Sequence, residues 1–232
     1  MTAIASNLQA VNRVIAQAAY IAQRRAENIT LLAVSKVFPV AAVREAHKAG
    51  QLAFGVSYVQ EALDKIAALR DLPLEWHFIG PAQSNKTRAI AENFSWMHSV
   101  DRLKIAERLS AQRPRNLPPL NVCIQVNVSG EDSKSGVTPG EVLALAKSVS
   151  QLPQLKLRGL MAVPAPAEGL EAQRKPFVLL RELLQQLNAQ GLQLDTLSMG
   201  MSHDLEAAVL EGATIVRVGT AIFGQRDYGE DK

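Results

Sequence analysis

Eight short β-rich runs alternate with helical segments along almost the whole chain, and this order constrains the fold more than any other feature. The runs are 29–36, 52–56, 75–80, 95–100, 121–128, 156–163, 196–200 and 214–219. Runs of this length and composition are typical of buried strands, and the segments between them have apolar residues at helical spacing. Strands that alternate with helices predict an α/β fold with a parallel sheet.

Closure of that sheet is the next inference. An open doubly wound sheet of eight strands would leave two long unpaired edges, whereas a barrel has none. With 47% hydrophobic and 20% charged residues, the 232-residue chain can bury one sizeable core. We therefore predict a single (β/α)8 TIM barrel over residues 1–232, with an extra N-terminal helix at 1–25 that packs on it. The open sheet is the alternative.

Several helix starts can be read from capping patterns. Ser57 with Gln60, and Thr138 with Glu141, have the spacing of a capping box, in which the two side chains satisfy free N–H groups at the start of a helix. The stretch 171–188 has the pattern of a longer amphipathic helix. The sequence therefore predicts helices after both boxes and over this stretch.

Composition and charge narrow the class of ligand and the compartment. The net charge is only +3, and the 25 Lys and Arg are spread along the chain, which does not favour a nucleic-acid partner or a polybasic membrane patch. Cys123 is the one cysteine, and its apolar neighbours favour a packed thiol and a reducing compartment. The N-terminus lacks the basic region of a signal peptide. We expect a cytoplasmic protein with a small ligand and no membrane contact.

Lys36 ends the first apolar run, LLAVS. In a parallel barrel the ligand site lies at the C-terminal ends of the strands, where partial burial lowers the pKa of a lysine and makes its neutral amine available as a nucleophile. Such an amine forms an imine with an aldehyde. The alternative is a lysine that merely ends a strand and points to water.

Arg217 and His77 are polar residues inside predicted strands. A guanidinium within the run TIVRVG requires a carboxylate, a phosphate or another acceptor, and a structural salt bridge is the alternative. His77 is either a ligand contact or a hydrogen-bonded core histidine, and His98 and His203 leave the same choice open. No histidines and carboxylates have metal-ligand spacing, and no serine-hydrolase or P-loop motif is present.

Two loops of small residues, 198–202 and 219–224, follow the last two predicted strands. Barrels often bind phosphate there, with backbone N–H groups and hydroxyls as donors. Ser198, Ser202 and Thr220 supply the hydroxyls. An ordinary capped turn is the alternative for each loop.

The order of several motifs resembles one known family. These are LLAVSK, YVQEALDK, EWHFIGPAQSNK, DSKSG, RGLMAVPAP, SMGMSHDLEAAVLEG and VRVGTAIFG, which together span residues 31–224. They resemble the YggS/PROSC family of pyridoxal 5′-phosphate (PLP) homeostasis proteins, whose fold is similar to the barrel domain of a fold-type III alanine racemase. The resemblance implies a monomer that binds PLP and takes part in vitamin B6 homeostasis, with apo-PLP enzymes as recipients of the cofactor.

The same resemblance implies roles for particular residues. Lys36 would be the covalent imine lysine, and Arg217 would face the pyridine nitrogen. The phosphate would be held by Ser198, Ser202, Gly219 and Thr220. Met161, His77 and Asn85 would be further contacts around the cofactor. No catalytic residue and no metal ligand is implied.

One position departs from the family. Where its members usually read FGEN, this chain reads FGVS, with Val56 and Ser57. Serine caps a helix nearly as well as asparagine, so we expect the following helix to start at Ser57. Val56, in contrast, is expected to remove a carboxylate from the barrel mouth.

The resemblance and the residues together favour a PLP carrier without turnover. An arginine cannot accept a proton from the ring nitrogen, so it weakens the ring as an electron sink. Racemisation needs an acid and a base on opposite faces of the substrate, and the racemases take one of them from a second domain that we do not expect here. The alternative is a weak amino-acid racemase or related PLP enzyme in which His77, Lys86 or Lys134 replaces that base. A barrel that only binds a regulatory partner is a third hypothesis.

Overall fold

The computed structural model describes residues 2–130 and 135–225, and its centre is a closed parallel barrel. The strands are β1 (Thr30–Val34), β2 (Ala53–Val56), β3 (Glu75–Phe78), β4 (Trp96–Val100), β5 (Leu120–Gln125), β6 (Leu155–Met161), β7 (Thr196–Ser198) and β8 (Ile215–Val218). Each strand pairs with the next in sequence, and β1 closes onto β8 with Leu32 opposite Arg217. The eight strands and their closure into a barrel, predicted from the sequence, are confirmed.

Helices surround the barrel. They are α1 (Ala3–Ile21), α2 (Val40–Lys48), α3 (Val59–Ala68), α4 (Thr87–Asn93), α5 (Leu103–Gln112), α6 (Val142–Ser150), α7 (Leu170–Ala189), α8 (Leu205–Leu210) and α9 (Thr220–Phe223). The predicted long helix over 171–188 is α7. The additional helix α1 buries an apolar stripe that includes Leu8, Val11 and Ile15, and it packs against α2, α8 and α9.

One of the two predicted capping boxes forms. Ahead of α6, the Glu141 carboxylate accepts hydrogen bonds from the backbone N–H of Thr138 at 2.9 Å and from its hydroxyl at 2.6 Å. The box at Ser57 and Gln60 was wrong: α3 begins at Val59, with Tyr58 in extended conformation as its N-cap and no side-chain cap. Residue 57 lies in a bend and Tyr58 is extended, so the helix begins too late for Ser57 to cap it.

Side chains on each strand alternate between the barrel interior and the layer between sheet and helices, as the period of two requires. A small interior cluster contains Leu32, Ala53, Trp96, Cys123, Met161 and Ile215. Cys123 is fully buried, which confirms the predicted packed thiol, and burial raises the pKa of this thiol to about 12. Within the described chain, no helix has the length and apolar character needed to span a bilayer.

Candidate functional site

A cavity of about 260 Å³ opens at the C-terminal ends of the strands. Its lining residues come from the ends of β1, β2, β3, β6, β7 and β8: Val34, Lys36, Ser57, Ile79, Val163, Met201, Ser202, His203, Arg217, Gly219 and Thr220. Because β8 pairs with β1, residues 185 positions apart become neighbours. The structure thus brings together Lys36, Arg217, Ser202, Gly219 and Thr220, which the sequence nominated separately.

Lys36 lies in a turn whose backbone is hydrogen-bonded, before and after this residue, by the ion pair of Lys65 and Glu61. The buried Lys65 ammonium donates to the Ser35 carbonyl oxygen at 2.6 Å and forms an ion pair with Glu61. The Glu61 carboxylate in turn accepts from the Val37 backbone N–H at 2.7 Å. Val37 has a φ of 64°, a left-handed conformation that is costly for a β-branched residue. The ion pair from α3 therefore stabilises a strained turn that sets the direction of the half-buried Lys36 side chain.

Arg217 lies buried at the floor of the cavity. Its Nη1 donates to the Ser198 hydroxyl at 2.8 Å, and its Nη2 donates to the Ala162 carbonyl oxygen at 2.8 Å. Both acceptors are neutral. Within the described residues, hydrogen bonds rather than a structural salt bridge therefore hold the Arg217 guanidinium in place. Burial lowers the pKa of the guanidinium to about 10, which still leaves it protonated at neutral pH. A fixed cation with spare N–H donors therefore faces the cavity.

The loop after β7 is shaped by a glycine and an aspartate. Gly200 has a φ of 93°, and a Cβ there would lie 2.5 Å from the Cβ of Ala208, so other residues are disfavoured. Asp204 is buried, and its Oδ1 accepts from the Met201 backbone N–H at 2.6 Å. This bond holds the loop against the start of α8.

An anion would meet donors from two loops on the same side of the cavity. Both Ser202 and Thr220 are exposed at its rim, and within the described residues their backbone N–H groups donate to no protein acceptor. Gly219 gives the close approach here, since a Cβ at this position would lie only 3.2 Å from the Val34 carbonyl oxygen. Free N–H groups, hydroxyls and a nearby guanidinium form a donor set that suits a phosphate.

Other nominated residues lie elsewhere. Ser198 is fully buried below Arg217, and its hydroxyl bonds to Arg217 and to His98, so it is placed to support the guanidinium. His77 is a buried, hydrogen-bonded core histidine, and burial lowers its pKa. Met161 belongs to the interior cluster, while Asn85 lies exposed in the short 3-10 helix Ser84–Lys86 that follows β3. None of these four residues lines the cavity.

The expectation that residue 56 faces the barrel mouth was wrong, because residue 57 faces it instead. Val56 is fully buried in the layer between the sheet and the helices, so a side chain at 56 does not face the mouth. The alternation along β2 turns Ser57 toward the cavity instead. In this chain the residue that can contact a ligand at the end of β2 is therefore the hydroxyl at 57.

The sequence reasoning missed the apolar lining of the cavity and left the role of one histidine, His203, open. Val34, Ile79 and Val163 line the cavity walls, and His203 lies at the rim with its side chain 45% exposed. Position at the strand ends was the signal that could have found them. Of the groups proposed to replace a second base, Lys86 is exposed away from the cavity and Lys134 lies outside the described residues.

No second site of comparable chemistry is evident in the described parts of the chain. A larger cleft of about 440 Å³ between the loop after β6 and α7 is lined mainly by proline, alanine and aliphatic side chains, with Lys175 as its charged member. Across residues 2–130 and 135–225, no three His, Cys, Asp or Glu side chains come together to hold a metal ion.

Comparison with known sequences gives long matches. Residues 3–227 match the family model of the alanine racemase N-terminal domain. A pyridoxal phosphate homeostasis protein of Pseudomonas aeruginosa is 64% identical over 229 residues, which cover 99% of this chain and 98% of that protein. The protein of the same name from Escherichia coli K12 is 52% identical, over 99% of this chain and 100% of that one.

Comparison with solved structures agrees with the sequence matches. PipY of Synechococcus elongatus, solved with PLP bound, is 39% identical with a TM-score of 0.85, covering 95% of this chain and 100% of that chain. Alanine racemase of Corynebacterium glutamicum is 21% identical with a TM-score of 0.69, covering 96% of this chain and 61% of that chain, and this likeness shows the fold alone. The chain therefore belongs to the alanine racemase N-terminal domain family, within its branch of pyridoxal phosphate homeostasis proteins.

Proposed function

We propose that this protein binds PLP covalently through Lys36 and takes part in the homeostasis of this cofactor. The observation that carries the proposal is that one cavity contains a half-buried lysine, a buried guanidinium and two loops of anion donors. The names of the relatives and the PLP-bound PipY structure support the choice of ligand.

In this proposal, each group of cavity residues binds a different part of PLP. The neutral amine of Lys36 condenses with the aldehyde to an imine and releases water. Ser202, Gly219 and Thr220 hold the phosphate, and Arg217 donates to the ring nitrogen. Ser198 supports Arg217 from below rather than contacting phosphate, and Met161, His77 and Asn85 have no direct contact. Bound PLP would supply an electron sink for amino-acid chemistry.

Binding without turnover fits the same residues. Arg217 is a donor and cannot accept a proton from the ring nitrogen, which weakens the electron sink. Among the described lining residues, His203 is the one titratable group other than Lys36 and Arg217. A weak racemase is the second candidate, and in it His203 would be the second base rather than His77 or Lys86.

The first experiment locates the covalent bond. PLP is added, the adduct is reduced with borohydride, and the modified residue is identified by mass spectrometry. We expect one adduct on Lys36 and its loss in Lys36→Ala, whereas Lys48→Ala, which removes a lysine of α2 outside the cavity lining, should keep it. A principal adduct on any other lysine would overturn the site assignment.

A second experiment separates a carrier from an enzyme. Exchange of the α-hydrogen of amino acids in heavy water is compared for wild type, Lys36→Ala and His203→Gln. Exchange at turnover rates that depends on both residues would favour the racemase. Transfer of PLP from the loaded protein to an apo-PLP enzyme, without such exchange, would support the carrier.

We also propose that residues 1–232 form one PLP-binding domain, that the protein is monomeric, and that it works in the cytoplasm. The continuous barrel from β1 to β8 supports the single domain, and the buried thiol of Cys123 fits a reducing compartment, while the monomer rests on the resemblance to the family. Light scattering after gel filtration tests the monomer, because a mass near twice 25.1 kDa would contradict it.

A further inference from the structure

A chain of hydrogen bonds leads from the cavity guanidinium to a carboxylate at the other end of the barrel. Arg217 Nη1 lies 2.8 Å from Ser198 Oγ, and that oxygen lies 2.7 Å from His98 Nδ1. His98 Nε2 lies 2.9 Å from His77 Nδ1, and His77 Nε2 lies 2.6 Å from Glu75 Oε1. Four consecutive contacts therefore join five side chains.

The chain crosses the barrel interior. It starts on β8, passes through β7 and then reaches β4 and β3 on the opposite wall. The first four side chains are buried, whereas Glu75, the first residue of β3, is 49% exposed. The cavity lies at the C-terminal ends of the strands, so Glu75 lies at the opposite end of the barrel. Of the five side chains joined by these hydrogen bonds, Arg217 is the one that lines the cavity.

Both ends of this chain of hydrogen bonds require the donors to point in the same direction. A guanidinium only donates hydrogen bonds, and an ionised carboxylate only accepts them. His77 must therefore carry its proton on Nε2 and accept at Nδ1 from the Nε2–H of His98. His98 then accepts at Nδ1 from the hydroxyl of Ser198, which leaves a lone pair of Ser198 for Arg217. Every donor points from the cavity toward Glu75.

The charge states of the histidines agree with this order. Burial lowers the pKa of His77, and burial, with the charge of Arg217 acting in the same direction, holds the pKa of His98 well below its usual range. The hydrogen bond from His77 is the main cause that lowers the pKa of Glu75, and Arg158 beside Trp96 acts in the same direction. At neutral pH both imidazoles are neutral, and Glu75 is ionised.

We propose that Glu75 is a positioning residue that acts through this chain on Arg217. By fixing which nitrogen of His77 and of His98 carries the proton, it keeps an acceptor of Ser198 directed at Arg217, so that the remaining N–H groups of the guanidinium stay aimed into the cavity. The role of Arg217 toward PLP rests on the proposed function, whereas the direction of the chain does not.

Nuclear magnetic resonance of ¹⁵N-labelled histidine tests the direction without ligand. Only four histidines are present, and the two neutral tautomers have distinct nitrogen shifts. We expect Nε2–H tautomers for His77 and His98 at neutral pH. An Nδ1–H tautomer for either of them in the wild type would overturn the inference, whether or not any variant folds.

Variants at Glu75 test the coupling to the cavity. Glu75→Gln keeps an oxygen that can accept from His77, whereas Glu75→Lys offers only donors and should switch His77 to the Nδ1–H tautomer. Glu92→Lys on α4 makes the same change of charge outside the chain of hydrogen bonds. We expect PLP affinity and the absorption band of the adduct to be retained in Glu75→Gln and Glu92→Lys. In Glu75→Lys, affinity should fall about 3- to 10-fold, as expected for one lost hydrogen bond, and the band should shift.

Two results would contradict the proposal: unchanged tautomers in Glu75→Lys, or switched tautomers with the PLP affinity and band of the wild type. If the wild type takes up no PLP on Lys36, the proposed function fails instead. The histidine spectra then decide the inference alone, since switched tautomers in Glu75→Lys support it and unchanged ones overturn it.

Discussion

At the scale of single residues, two buried serines differ in how their hydroxyls are satisfied. Ser35, next to Lys36, is fully buried, and within the described residues its Oγ has no hydrogen-bond partner. Ser99 is equally buried, but its Oγ donates to the Gly80 carbonyl oxygen. A buried hydroxyl without a partner costs free energy, while a paired one contributes to stability. The two positions form a matched pair for mutation.

We expect Ser35→Ala to leave the free energy of unfolding unchanged or raise it by up to about 1 kcal/mol, because it removes an unsatisfied polar atom. Ser99→Ala should lower it by about 1–2 kcal/mol, since it leaves the Gly80 carbonyl without its donor. Urea unfolding of both variants measures the difference. A larger loss in Ser35→Ala than in Ser99→Ala would show that the Ser35 hydroxyl has a partner in solution.

At the scale of elements, the contact between α3 and the turn after β1 is decisive for the site. Lys65 and Glu61 hold the backbone on either side of Lys36, and the strained φ of Val37 requires such support. The exposed pair of Arg44 and Asp71, which joins α2 to the segment just after α3, is a useful comparison because its geometry is bidentate.

We expect Lys65→Met to lower the free energy of unfolding by about 1–3 kcal/mol, because it removes a buried charged hydrogen bond and leaves Glu61 without its partner. Asp71→Asn should cost clearly less than Lys65→Met, because solvent screens an exposed pair. The rate of adduct formation at Lys36 should fall in the first variant alone. Equal effects on stability and rate in the two variants would contradict a specific role for α3.

The first residue of α3 could not be predicted from the local sequence pattern. The capping box at Thr138 formed because the chain turns there into a helix, but the same pattern at Ser57 did not. Ser57 instead faces the cavity, and Tyr58 remains extended. A local pattern predicts the presence of a helix well, yet its first residue depends on how far the preceding strand is held by its neighbours.

At the scale of the whole molecule, the site exists only because the barrel closes. Lys36 follows β1, whereas Arg217 and Thr220 belong to β8 and the turn after it. A ligand held by all three residues therefore binds the native state and not the unfolded chain, in which they are far apart. Such a ligand must stabilise the whole fold.

We expect PLP at about 100 times its dissociation constant to add about 2.7 kcal/mol to the free energy of unfolding. For a chain of this length, that corresponds to a rise in Tm of about 5–10 °C. Thermal unfolding followed by circular dichroism measures the rise, and Lys36→Ala should lose most of it. An equal rise in Lys36→Ala would mean that PLP stabilises the protein through other lysines.

By itself, the sequence determined the order of eight strands, their closure and the packed state of Cys123, and it nominated Lys36 and Arg217 as candidate site residues, because periodicity and the high cost of burying a charge act locally along the chain. Only the tertiary structure decided which polar residues share the cavity. It moved Ser198, His77 and Met161 into the interior and turned Ser57 rather than Val56 to the mouth. The reason is that the face to which a strand residue points, and the partner it meets across a barrel, depend on the register and curvature of all eight strands.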